Sequence, residues 1–219
     1  MRVTDEVLSS QADYYRRRAG EYDVTAYGDL VAARARMARL VAEMDPTGRV
    51  LEIACGTGLW TEALACVAET VTAIDVAPEA VAIASDRVRS NNVSFEVTDI
   101  FSWKTTARFD VIFFSAWLSH VPGSRFEPFW QLLRELLAGG GRVLFIDEHV
   151  EARSKEHYLP GGDEIVERQL RDGSRYRIVK NFVDPEQLER RLRELGWECR
   201  IRRDESDWVW VCGEARPVR

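Results

Sequence analysis

Long apolar runs are missing from this 219-residue chain. A membrane-spanning helix needs about 20 consecutive apolar residues, so no span is expected. The opening Met1-Arg2-Val3-Thr4-Asp5-Glu6 lacks the basic and apolar blocks of a secretory signal, and a cytoplasmic protein is expected. Cysteine is sparse. Cys55, Cys66, Cys199 and Cys212 form no C-x-x-C pair, which argues for free thiols over a metal site or a disulfide framework. No metal ligand set is expected. Positive charge is not in excess either. The net charge is −6, so a nucleic-acid backbone is not the expected partner. Arg16-Arg17-Arg18 and Arg200 to Arg203 fit solvated faces.

What is present fits one globular α/β domain over 1–219. Hydrophobic content is 46% and charged content is 30%, which suits a folded core rather than a disordered chain. Strand and helix patterns alternate, which implies a parallel sheet covered on both faces. Strands are expected at 49–54, 70–75, 92–99, 109–115 and 142–147. Helices are expected from Leu59 to about Ala68, from Pro78, and from a capping box at Ser124–Glu127 to Leu137, where Gly139-Gly140-Gly141 ends it. Asp184-Pro185-Glu186-Gln187 opens one more helix, and two closely joined strands follow, so they pair antiparallel. Two segments fall outside the alternation. Residues 1–45 suggest two helices, roughly 4–18 and 28–44, forming a cap. Residues 150–183 suggest an insertion with a β-hairpin around Asp172-Gly173.

Chemistry-bearing residues gather at the carboxyl ends of the first four strands, where open α/β sheets bind ligands. "LEIACGTGLW", 51–60, is a strand, an acid and a turn with Gly56 and Gly58. A dinucleotide turn needs a third glycine where Thr61 stands, and no Lys-Ser or Lys-Thr follows to make a phosphate loop. Glu52 would repel a pyrophosphate and suit a cationic group. Asp75 can accept from ribose hydroxyls, which an NAD site would also need. Asp99-Ile100 suits an adenine edge and face. The fourth strand ends in an aromatic loop carrying Trp117 and His120. His120 and His149 are the candidate general bases, since an ordinary imidazole titrates near neutrality. Trp60 and Trp117 could stack on a cofactor or line an apolar pocket, while Trp130 and Trp197 fit a core.

The order and spacing of "VLEIACGTG", "VTAID", "VSFEVTDIF", "FDVIFFSAWLSHV" and "LLAGGGRVLFID" resemble the class I S-adenosylmethionine-dependent methyltransferases of the small-molecule type. The resemblance covers about residues 45–150. It implies a doubly wound, Rossmann-like seven-stranded sheet of order 3-2-1-4-5-7-6 with strand 7 antiparallel. "YYRRRAGEYD", 14–23, is similar to a helix that folds over the methionine end of the cofactor. By resemblance, Glu52, Ala54, Gly56, Gly58 and Trp60 would line the cofactor turn, and Asp75 with Val76 would hold the ribose. Asp99 and Ile100 would hold adenine, Ser115 would meet the methionyl portion, and Tyr14, Arg18 and Tyr22 would close the site. Trp117 and His120 would face the acceptor, with His120 and His149 as catalytic candidates. The expected activity is methylation of a small molecule, with oxygen favoured over nitrogen or carbon, by a monomer or homodimer acting on neither nucleic acid nor membrane. The alternatives are an RNA or protein methyltransferase, a cofactor-binding protein with a regulatory or non-methylating role, and an NAD-dependent oxidoreductase.

Overall fold

Mostly apolar runs make the central strands, as expected where both faces of a parallel sheet are covered. In the computed structural model, which describes residues 3–160, 163–204 and 207–218, these runs are β1 (Arg49–Ile53), β2 (Thr70–Asp75) and β4 (Phe109–Ser115). Val50, Leu51, Ala73, Ile112 and Phe114 are fully buried on them. β3 (Val93–Val97) is partly exposed along its length, as an edge strand should be. β5 (Leu137–Glu148) and the antiparallel pair β8 (Trp197–Asp204) and β9 (Asp207–Pro217) complete a seven-stranded sheet. Its order is β3-β2-β1-β4-β5-β9-β8, with β9 antiparallel to β5. This is the expected order once the hairpin strands β6 (Ile165–Gln169) and β7 (Arg175–Val179) are counted in chain sequence; they form a separate two-stranded sheet.

The chain divides into two compact units. One comprises residues 15–114 and 136–141; the other comprises 1–14, 115–135 and 142–219.

In the first unit, a further helix, α2 (Tyr22–Tyr27), stands between the two expected ones, α1 (Asp5–Arg18) and α3 (Leu30–Met44). Asp29 caps α3 by accepting from the amides of Val31 and Ala32. Met37, Leu40 and Val41 bury its inner stripe. α4 (Leu59–Leu64) stops four residues before the expected end, and Val67 beyond it is exposed. α5 (Pro78–Arg87) starts on Pro78, whose missing amide costs nothing at a first turn.

In the second unit, α6 (Phe126–Leu136) begins after a 3₁₀ turn over Gly123–Arg125 rather than at a capping box. The three glycines 139–141 lie in β5, not in a loop ahead of it. Trp130, fully buried, meets Trp197 edge-on at 5.1 Å and Phe145 at 6.2 Å. Burial of such a ring contributes about 1.5–3 kcal/mol. Gly213 faces Phe145 across the β5–β9 ladder, and a Cβ there would stand 2.0 Å from the ring. The Asp184 carboxylate accepts from the Gln187 amide and caps α7 (Pro185–Glu194), as expected.

Candidate active site

The turn after β1 is held by backbone conformation first. Ala54 has φ 57°, Gly56 55° and Gly58 83°, all left-handed. A non-glycine residue there carries a cost of about 1–2 kcal/mol, so Ala54 marks a conformation the surroundings impose. The two glycines differ. A Cβ on Gly58 would lie 2.8 Å from the Ala84 Cβ, so α4 and α5 need glycine to approach. A Cβ on Gly56 would meet nothing within 4 Å. That open space lets a ligand lie against bare backbone.

Two acids flank the turn, Glu52 buried and Asp75 half-buried. Asp75, at the end of β2, accepts from the Gly56 amide at 2.9 Å and the Ala77 amide at 2.8 Å. Burial pushes its pKa up and these amides pull it back. Glu52, 2% exposed, accepts from the Thr61 hydroxyl at 2.6 Å. Burial raises its pKa to about 8; the Thr61 bond opposes this and the Asp75 charge adds to it. Thr61, where a third glycine would stand in a dinucleotide turn, is therefore the partner of the buried acid. The pair of acids gives the turn a site that a positive charge would relieve.

The remaining cofactor-side candidates of this unit lie on several of its elements and loops. Asp99 accepts from the Phe101 amide at 3.0 Å, and Ile100 beside it is buried. Val76 is 43% exposed. Trp60 is buried, with Phe113 at 5.4 Å and a side-chain hydrogen bond to Tyr27. Its ring is thus fixed from two sides. Arg18 lies over the Tyr22 ring at 4.7 Å and donates to Thr25.

The other unit carries the acceptor-side candidates. Ser115 ends β4, and Ala116 after it has φ 49°, the second strained alanine at a strand end. Its amide donates to the Ile146 carbonyl at 2.8 Å, which turns the chain into the aromatic loop. Trp117 packs edge-on against Phe129 at 6.4 Å, and its indole N–H is buried without a hydrogen-bond partner. His120 is 7% exposed, with Nδ1 2.7 Å from the Val179 carbonyl. A carbonyl only accepts, so Nδ1 carries the proton and the basic lone pair belongs to Nε2. Gln11 of α1 fixes this arrangement. It donates to the His120 carbonyl at 3.2 Å and accepts from the Val179 amide at 2.9 Å.

Beside His120 is a charged cluster. Asp147 is fully buried and accepts from the amides of Ser119 (2.9 Å) and Glu148 (2.8 Å). Burial raises its pKa and the Lys180 charge lowers it. Lys180 is 3% exposed, donates to the Ser119 hydroxyl at 3.2 Å and pairs with Glu148. Sequence reasoning missed Lys180 and Gln11. Lys180 follows the apolar end of a strand in "RYRIVKNF", and nothing local marks it as a site residue.

Two candidates sit differently from the rest. Tyr14 is buried against Tyr176 of the hairpin at 5.8 Å, whereas Arg18 and Tyr22 pack on each other. His149 accepts from the Glu151 amide through Nδ1, and Arg203 Nη2 lies 3.0 Å from its Nε2. Burial and the Arg203 charge hold its pKa below the ordinary histidine value, so this imidazole is a neutral cap on the 3₁₀ turn Val150–Lys155. Among the described residues, no group of three His, Cys, Asp or Glu side chains could hold a metal ion. No helix there is long and apolar enough to cross a membrane.

Comparison with known proteins bears on the turn and its two acids. Residues 50–141 match the family described as a methyltransferase domain. The chain is 30% identical over 167 residues to a ubiquinone biosynthesis O-methyltransferase of Xanthomonas axonopodis pv. citri (strain 306), covering 74% of this chain and 67% of the relative. A solved structure, the DhpI-SAM-HEP complex, is 38% identical over 98% of this chain and all of the other, with a TM-score of 0.85. The chain belongs to the class I S-adenosylmethionine-dependent methyltransferases. A malonyl-[acyl-carrier protein] O-methyltransferase of Paenibacillus sp. (strain JDR-2) is 33% identical over 62% of the chain. The methyltransferase described here spans about half to two thirds of the length of these curated relatives, 52% and 67%. Its cofactor is S-adenosylmethionine, as the SAM-bound neighbour and the family indicate. The open face of Gly56, the buried Glu52 and the half-buried Asp75 fit a nucleoside that bears positive charge.

Proposed function

We propose that this methyltransferase acts in the cytoplasm and methylates an oxygen of a small polar molecule. The observation that carries this reading is the tautomer of His120. Its Nδ1 proton is committed to the Val179 carbonyl, so Nε2 is the basic atom, and it sits in the same unit as Ser119, Lys180 and Glu148. A hydroxyl acceptor must lose a proton as it is methylated, and a neutral imidazole is suited to take it. Lys180 and the Ser119 hydroxyl supply donors for an oxygen-rich acceptor, and Trp117 supplies an apolar wall. Two curated relatives named as O-methyltransferases lend support.

The sulfonium cofactor supplies an already activated methyl group, so the chain has to bind, align and exclude water. Gly56 and Gly58 would pass beneath the nucleoside. Asp75 and Val76 would take the ribose, Asp99 and Ile100 the adenine, and Ser115 the methionyl end. Glu52 would hold the turn beside the cationic tail, with Arg18 and Tyr22 closing over it. His149, capped and neutral, would steady the loop after β5 rather than move a proton.

The test is a screen with methyl-labelled S-adenosylmethionine against small hydroxy and carboxylic acids, followed by mass analysis of the product. Acceptor-dependent S-adenosylhomocysteine with label on oxygen is expected. His120→Ala should lower kcat about 100-fold or more while the cofactor Kd changes less than twofold. Label on nitrogen or carbon, or unchanged turnover in the variant, would overturn the reading.

A further inference from the structure

Asp23 has no part in the proposed methyl transfer, yet it joins three segments of its unit. It lies on α2, a helix of six residues with no buried residue of its own. So short a helix has little intrinsic stability, and side-chain contacts must hold it in place. Alanines 19, 77 and 80 form a small apolar cluster where the preceding 3₁₀ turn meets α5. The Arg16–Glu79 pair nearby is about half exposed and therefore screened by water. The Asp23–Arg87 pair is different. Both side chains are only 15% exposed.

That pair also grips the cofactor turn. The Thr57 hydroxyl donates to the Asp23 carboxylate at 2.5 Å. Arg87, the last residue of α5, donates to Asp23 and, at 2.5 Å, to the Thr57 carbonyl. Thr57 is 4% exposed and stands between Gly56 and Gly58. The hydroxyl and the carbonyl of the turn's middle residue thus both bond to one ion pair. α2 ends at Gly28, with φ 65° and open space where a Cβ would be, so the chain can pivot there with little steric cost.

We propose that Asp23 and Arg87 form a latch that clamps α2 onto the glycine turn and sets the rate at which the nucleoside cofactor leaves. This rests on the reading of residues 56–58 as the floor of the cofactor site. Asp23 and Arg87 are positioning residues: they act through Thr57 and α2, not by touching the transferred group. Each turnover must release spent cofactor, so breaking one pair would free the turn and its cover together.

Stopped-flow tryptophan fluorescence on the full chain, following release of S-adenosylhomocysteine, tests this. Asp23→Asn and Arg87→Gln should each speed release about tenfold, and the double variant should be no faster than the faster single one. Thr57→Val should also speed release and Thr57→Ser should restore it, which a merely structural role would not produce. Release within twofold of the parent in Asp23→Asn and Thr57→Val, or multiplicative effects in the double variant, would overturn the latch alone. Asp75→Ala is the control. If it binds and releases cofactor like the parent, the cofactor site itself is misplaced and the latch falls with it.

Discussion

The two halves of the machinery are built by different means. In the glycine-turn half the two acids find their partners within 19 residues, and Thr57 between them reaches further, to Asp23 and Arg87. Asp75 takes two backbone amides, and Glu52 takes the hydroxyl of Thr61, nine residues away. The half that carries His120 draws its partners from far along the chain. Gln11 reaches residues 120 and 179, and Lys180 reaches 119 and 148. Local construction permits a compact motif in the sequence. Long-range construction leaves scattered polar residues that only the fold assembles.

The sharpest test of the local half is a pair of glycine substitutions. Gly58→Val should cost more than about 3 kcal/mol, because left-handed backbone and a backbone collision add. Its Cβ would stand 2.9 Å from the Ala84 Cα. Gly56→Ala meets open space and should cost only about 1 kcal/mol, from backbone conformation alone. Urea unfolding of both variants measures the difference. Equal losses would mean that close packing of α4 on α5 is not why Gly58 is glycine.

Legibility follows the same division. The parallel strands were readable because both-face burial demands mostly apolar runs, and the turn because glycine spacing is local. The start of α6 was misread because Ser124 and Glu127 have the spacing of a capping box, yet the chain tightens into a 3₁₀ turn there. The three glycines were read as a stop, but β5 runs through them. Lys180 was not legible, since nothing within "RYRIVKNF" says that residues 119 and 148 will stand beside it. Asp23 was in a quoted motif, but its partner Arg87 is 64 residues on.

The long-range half can be broken by removing its cation. Lys180→Met keeps the volume and leaves Asp147 buried without its compensating charge. The expected loss is about 3 kcal/mol at pH 8. It should shrink at pH 5, because Asp147, already raised by burial, would titrate higher still once Lys180 is gone. A protonated carboxyl needs no cation. Thermal or urea unfolding at both pH values checks this. An equal loss at both would show that packing, not charge, is what Lys180 provides.

A last test returns to the turn and asks whether its acid is held neutral. Glu52 has a folded pKa of about 8 against an ordinary 4.5. The folded state therefore binds the proton more tightly than the unfolded state does. The contribution of this group is fully present below about pH 4.5 and is lost as pH rises through 8, with a slope of at most about 1.4 kcal/mol per pH unit. Glu52→Gln keeps a neutral acceptor for Thr61 but cannot ionise. Subtracting the variant's stability curve from the parent's between pH 5 and 8 should give a falling line. With S-adenosylmethionine bound, a positive charge beside the acid would favour its ionised form, so the line should flatten. A flat difference without cofactor would mean that Glu52 is already ionised, and that the local half, like the other, stores a charge in its core.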